Sequence, residues 1–267
     1  MSVARASEVL DWRRLGLLLR NDLIGGYRGF LLRAAAVAGV IVVIEIVAAL
    51  VSNAPKEQAQ FWWFYVFLFG WGIVMASGAL TELHDRTRNE AYLLLPASAL
   101  EKVLVRFVLV TLGFYVFFIV FSTVLALVTQ TVDVLVLGRQ MRWFPRPGEG
   151  LQWVFFGNFV VAQSVFFLGA AWFRKAHIFK TALAVAVIYF GLLAFAYIVA
   201  YLLVPQFRDG WGLSFREYEL AAVYDAYPTL IDGAVRVLEV AYFAGLPALS
   251  CFVAWLRVRE TQVSHGV

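Results

Sequence analysis

The chain has 267 residues, 62% of them hydrophobic and only 15% charged, with a mean hydropathy of +0.79. Soluble domains run at about 45–50% apolar and about 25% charged, so a water-soluble enzyme is excluded at the outset. A net charge of +4 would hint at nucleic acid only if the charges formed a surface, while one cysteine and three histidines leave no disulfide and no cysteine or histidine metal cage.

The first 30 residues are rich in arginine and lack a small-residue cleavage site after an apolar run, so no removable signal peptide is expected. Within them Glu8–Phe30 reads as an amphipathic helix. Trp12, Leu15, Leu19, Leu23 and Tyr27 recur at helical spacing, with Arg13, Arg14, Arg20 and Asn21 on other faces. Such a helix is expected to lie in the membrane interface, or to serve simply as a basic anchor for the first span. Gly25 and Gly26 are expected to bend the chain into the bilayer.

A hydrocarbon core about 30 Å thick needs roughly 20 apolar residues of helix. Six stretches meet that length: Leu31–Val51, Phe61–Leu80, Phe107–Val128, Leu151–Phe173, Thr181–Val204 and Ala234–Leu256. The expected fold is therefore an all-α integral membrane protein with six transmembrane helices and an N-terminal interfacial helix, forming one domain over 1–267. The 16% aromatic content suits lipid contact and the bilayer interface. In the last span Arg236 and Glu239 sit near the start, and Pro247 lies inside as an expected kink.

Only seven of the 22 basic residues fall on one side of these spans: Lys56, Arg139, Arg142, Arg146, Arg208, Arg216 and Arg236. The larger share on the other side places both termini in the cytoplasm by the positive-inside rule. The basic excess thus follows topology and anionic lipid, and nucleic acid is not an expected partner.

Between the second and third spans runs Thr81–Lys102, the most informative stretch of the chain. Its first half carries Glu82, Asp85, Arg86 and Arg88, and Pro96 disfavours helix at Leu95. Ser98 and Glu101 then have the spacing of a capping box at the start of a new helix that leads on into the third span. His84 beside Glu82 and Asp85 reads as a solvated face rather than a metal site. The outer segments are 131–150, with Pro145 and Pro147, and 205–233, where Ser214 and Glu217 make a second box before an aromatic run.

Glu45 falls deep in the first span, where a charge costs about 2.5–3.5 kcal/mol on insertion scales. It reads either as part of a transport pathway or as a structural hydrogen bond to Asn158, Gln163 or Ser164 of the fourth span. No phosphate-binding loop, HExxH pair, GxSxG elbow or acid cluster is present, so no catalytic or cofactor site is expected on this chain.

The run Tyr92-Leu-Leu-Leu-Pro-Ala-Ser-Ala-Leu-Glu-Lys102, after the charged end of the second span, resembles bacterial permeases of the type 2 ABC transporter superfamily. The order of parts is similar over most of the chain, apart from the longer outer insertion 131–150. The resemblance implies an exporter subunit of the inner membrane whose loop 81–102 couples to a separate ATP-binding subunit. Coupling would then fall on Glu82, Asp85, Arg86, Arg88, Pro96, Ser98, Glu101 and Lys102, with Glu45, Asn158 and Gln163 on the transport path. ATP and magnesium would sit on that partner, and a second permease copy would complete the assembly. Two other classes compete: a non-transporting membrane scaffold or sensor, and a membrane transferase, weakened by the missing acid clusters.

Overall fold

An apolar environment offers no partner for a free backbone N–H or C=O, so long apolar runs fold as helices that satisfy themselves. In the computed structural model, residues 11–51, 56–81, 97–137, 149–203 and 228–264 are described. Among them the regular structure is entirely helical. The elements are α1 (Trp12–Val51), α2 (Lys56–Gly78), α3 (Ala99–Val108), a π-turn (Leu109–Gly113), α4 (Phe114–Leu137), α5 (Glu149–Trp172), α6 (His177–Leu203), α7 (Pro228–Val240), a second π-turn (Ala241–Gly245) and α8 (Leu246–Ser264).

Five described stretches are long and apolar enough to cross a bilayer: Trp12–Ile44, Ala99–Val132, Trp153–Trp172, His177–Val199 and Ile231–Thr261. Tyr65–Gly78 of α2 is a shorter apolar helix. The fold fits a multi-pass helical membrane protein.

Two local expectations are refined and one is met. Helix α1 runs unbroken through Gly25 and Gly26, where a bend was expected. Each glycine costs about 1 kcal/mol against alanine, but 40 residues of continuous ladder absorb that cost. The third apolar helix begins at Ala99, at the expected Ser98 cap and ahead of its hydrophobic run. The expected discontinuity at Pro247 takes the form of the π-turn just before it, in which the Leu246 N–H reaches back to the Ala241 carbonyl. Proline has no N–H to bond the carbonyl four residues earlier, so the ladder must adjust at this point.

Helix α5 is the hub. It packs on α2 and α8, touches α6, and meets both π-turns, whereas α1 leans on α3 and α4. Two clusters form the interior. One joins Leu80, Val103, Phe167, Ala171 and Val258; the other joins Leu68, Phe114, Phe118 and Phe159. Part of the aromatic content therefore packs inside, with Phe114 and Phe159 stacked at 6.0 Å and Trp71 edge-on to Phe121 at 5.8 Å.

Close approach to α5 depends on missing side chains. A Cβ at Gly72 of α2 would lie 2.8 Å from the Phe159 ring and would collide with the Gln163 amide. At Gly169 of α5 it would collide with Thr181 of α6. Small residues at these crossings let helices gain contact where lipid offers no hydrophobic drive. Beyond Thr181, no described side chain of α6 is buried.

Candidate functional site: a charged junction of three helix ends

The start of α3 is built by its own sequence. Ser98 has extended backbone (φ −67°, ψ 155°), and its Oγ accepts from the Glu101 N–H at 3.2 Å. Glu101 Oε2 accepts in return from the Ser98 N–H at 2.8 Å. The expected capping box is present.

Glu101 does more than cap. Its carboxylate is fully buried, and the other oxygen, Oε1, accepts from the backbone N–H of Asp11 at 2.8 Å. Arg14 lies 4.0 Å from that oxygen and 3.4 Å from the Asp11 carboxylate. A buried carboxylate is tolerated only with such donors and a counter-charge. Asp11 itself starts α1, where its Oδ1 accepts from the Arg13 N–H at 2.9 Å. One carboxylate thus closes the N-termini of two helices that lie 90 residues apart in sequence.

A second tie lies one and a half turns along α3. Arg106 Nε is 2.7 Å from Asp22 Oδ2, and Nη2 donates to Oδ1 at 3.4 Å. Its remaining Nη1 donates to the Ala79 carbonyl at the end of α2, at 3.3 Å. This fork is mostly shielded, with side chains about one-fifth exposed (20% and 22%). Arg106 therefore joins α1, α2 and α3 by one planar group, a task suited to guanidinium geometry.

The face of α1 turned toward the protein is set by these ties. Asp11, Arg14, Leu15, Leu18, Leu19 and Asp22 are half-buried. Of the apolar stripe expected to enter lipid, Leu15 and Leu19 face inward, while Trp12, Leu23 and Tyr27 stay exposed.

Among the expected coupling residues, Ser98, Glu101 and Lys102 come together here, and Lys102 is buried. Glu82, Asp85, Arg86, Arg88 and Pro96, together with His84, lie outside the described residues. Asp11, Arg14, Asp22 and Arg106 enter the site without having been singled out for it. One signal was available: Asp11 and Asp22 are eleven residues apart, close to three full helical turns, and so share a face.

Of the expected transport residues, Asn158 and Gln163 lie on α5. Glu45 lies in α1, but its side chain is outside the described set. Asn158 Oδ1 accepts from the Tyr242 hydroxyl at 2.9 Å, and Ser164 donates to the Val161 carbonyl of its own helix at 2.7 Å. Gln163 is completely buried against Gly72, and neither amide atom has a hydrogen-bond partner among the described residues. Among those residues no group of three His, Cys, Asp or Glu is placed to hold a metal.

By the length and composition of its helices the molecule fits the class of multi-pass membrane proteins. Comparison with family models, characterised proteins and solved structures finds no match.

Proposed function

We propose that this chain is the membrane-spanning permease subunit of an ATP-driven exporter, with ATP hydrolysed on a separate subunit that docks on the loop 81–102. The observation that supports this reading is the buried Glu101 clamp. The returning arm of the loop is a capped helix, locked to α1 and, through Arg106, to the end of α2. It then continues through a π-turn into a long apolar helix. A stiff arm passes a displacement on, where a slack loop would absorb it.

In this reading the chain crosses the bacterial inner membrane six times. Helix α2, 23 residues and about 34 Å long, supplies the crossing beyond the five long apolar stretches. The first turns of α1 lie in the interface, both termini face the cytoplasm, and a second permease copy completes the transporter.

Purification in mild detergent, followed by mass spectrometry, tests the partner: an ATP-binding subunit should come along, with ATP turnover that responds to the loop. Charge reversal at Glu82, Asp85, Arg86 and Arg88 should release that subunit in a salt-dependent way. A preparation that brings down no ATP-binding subunit favours a scaffold or sensor. Cysteine labelling, after replacing Cys251, tests the crossings: Ser52 and Gly210 should label from outside, Asn89 and Gly266 from inside. An odd number of crossings overturns the topology.

A further inference from the structure

The same end of the bundle carries a second group of charges, built in the opposite way. Helix α5 ends at Trp172, α6 begins at His177, and four residues turn the chain between them. The turn is tightly made. Ala176 holds a left-handed backbone (φ 54°), the Phe173 N–H bonds the Gly169 carbonyl at 2.9 Å, and a ring nitrogen of His177 meets the Phe173 carbonyl. The constraint presents Arg174, Lys175 and Lys180 outward, all exposed. None of the three has an ion pair among the described residues.

Helix α8 adds to the patch. The Arg257 guanidinium lies 5.3 Å over the exposed Trp172 ring, so the end of α8 stands beside the turn. Glu260, paired with Arg257 at 2.9 Å, is the acid seen on this group. The cations outnumber their partners.

Below the cations the surface changes character at once. Phe179, at the first turn of α6, is 79% exposed, and Leu183, Val187 and Phe190 follow, each more than 60% exposed. The ten steps from Lys180 to Phe190 rise about 15 Å, half of a hydrocarbon core about 30 Å thick. A strip one leaflet deep therefore runs down from a cationic, aromatic-flanked turn. A soluble acidic protein would match the cations but not the apolar strip, and a neutral lipid would match the strip but not the cations. One class of ligand matches both.

We propose that the α5–α6 turn, with the end of α8, is a binding site for an anionic phospholipid. Its phosphate meets Arg174, Lys175 and Lys180, and its acyl chains lie on the exposed face of α6. The site requires only that these helices span a bilayer; it stands apart from the transport reading.

The test is native mass spectrometry of the full-length protein in detergent, titrated with phosphatidylglycerol or with phosphatidylcholine of the same acyl chains. The parent should retain phosphatidylglycerol well above phosphatidylcholine. Each basic residue near an anionic headgroup contributes about 1 kcal/mol, so the combined R174Q, K175Q and K180Q variant should bind phosphatidylglycerol on the order of a hundredfold more weakly. Its binding of phosphatidylcholine should not change. A charge-keeping variant (R174K, K175R, K180R) should retain the preference. So should R13Q with R20Q and R28Q, which removes three exposed cations from α1. Equal retention of both lipids by the parent, or an unchanged preference in the triple glutamine variant, overturns the site. So does a triple variant that releases an ATP-binding subunit yet holds phosphatidylglycerol as before, since the patch then serves a protein.

Discussion

Two groups of charges sit at one end of this bundle, joined by the cluster of Leu80, Val103, Ala171 and Val258, and they are managed differently. At the α1–α3 junction the acids and bases are matched and largely withdrawn from solvent: Glu101 with two backbone donors and Arg14, and Asp22 with Arg106. At the α5–α6 turn, Arg174, Lys175 and Lys180 stay exposed and without an acid partner among the described residues, the Lys180 ammonium lying 5.7 Å over the Phe173 ring. Matched, shielded charges fix the position of one element on another. Unmatched, exposed charges contribute little to folding and remain open to a ligand. The contrast separates a structural lock from a docking surface without reference to any relative.

The largest test of that contrast is at Glu101. Replacing it with alanine strips the acceptor from the half-buried Ser98 and Asp11 N–H groups, and each orphaned donor costs about 1–3 kcal/mol. A loss of about 3 kcal/mol is expected for Glu101→Ala, measured by thermal or denaturant unfolding in detergent. A loss near zero would remove the lock.

A double-mutant cycle on Asp22 and Arg106 should give a coupling of about 1–2 kcal/mol, above the range of an exposed pair, because the fork is shielded and also holds the Ala79 carbonyl. Salt should weaken it only slightly. A coupling that vanishes in high salt would make this pair like any surface bridge.

Ser98→Ala should cost about 1 kcal/mol, the usual worth of a helix cap, since Glu101 keeps its bond to Asp11. If it costs as much as Glu101→Ala, the cap and the α1 tie are one unit and cannot be separated.

The smallest effect is expected at the turn. In a neutral detergent, R174Q, K175Q and K180Q together should change stability by no more than about 0.5 kcal/mol, as exposed substitutions do. A loss comparable to that at Asp22 and Arg106 would show that the two groups are not different in kind.

How much of this was legible follows from how far apart the interacting residues lie. The apolar runs and the capping box are written within one helix or one turn, so the helices and the Ser98–Glu101 exchange could be read directly. The clamp of Glu101 on Asp11 spans 90 residues and the fork of Arg106 on Asp22 spans 84, and local spacing does not encode such separations. The eleven-residue repeat of Asp11 and Asp22 marked a shared face but not the helix that would meet it. Nor could hydropathy tell α5 from α6. Both are strongly apolar, yet α5 is the hub and α6 is exposed along nearly all its described length, because burial depends on neighbours and not on the side chain alone. Gln163 illustrates the same limit: a polar residue in a span was visible, while its place against Gly72 was not.

The two π-turns have a consequence for how length changes would propagate. In each, a hydrogen bond closes over one residue more than in an α-helix: the Phe114 N–H reaches the Leu109 carbonyl, and the Leu246 N–H reaches Ala241. Each turn thus absorbs a spare residue locally, so the helix beyond it keeps the phase of a regular helix that lacked that residue. Deleting Val110 would let α3 run on into α4 as a regular helix and leave Phe114 and Phe118 at the centre of the aromatic cluster. Deleting Val120, in the regular stretch of α4, would instead rotate everything past it by about 100°. Composition, hydropathy and length would change equally little in the two cases. Only the second would lose its angular phase, and with it the fit to α5.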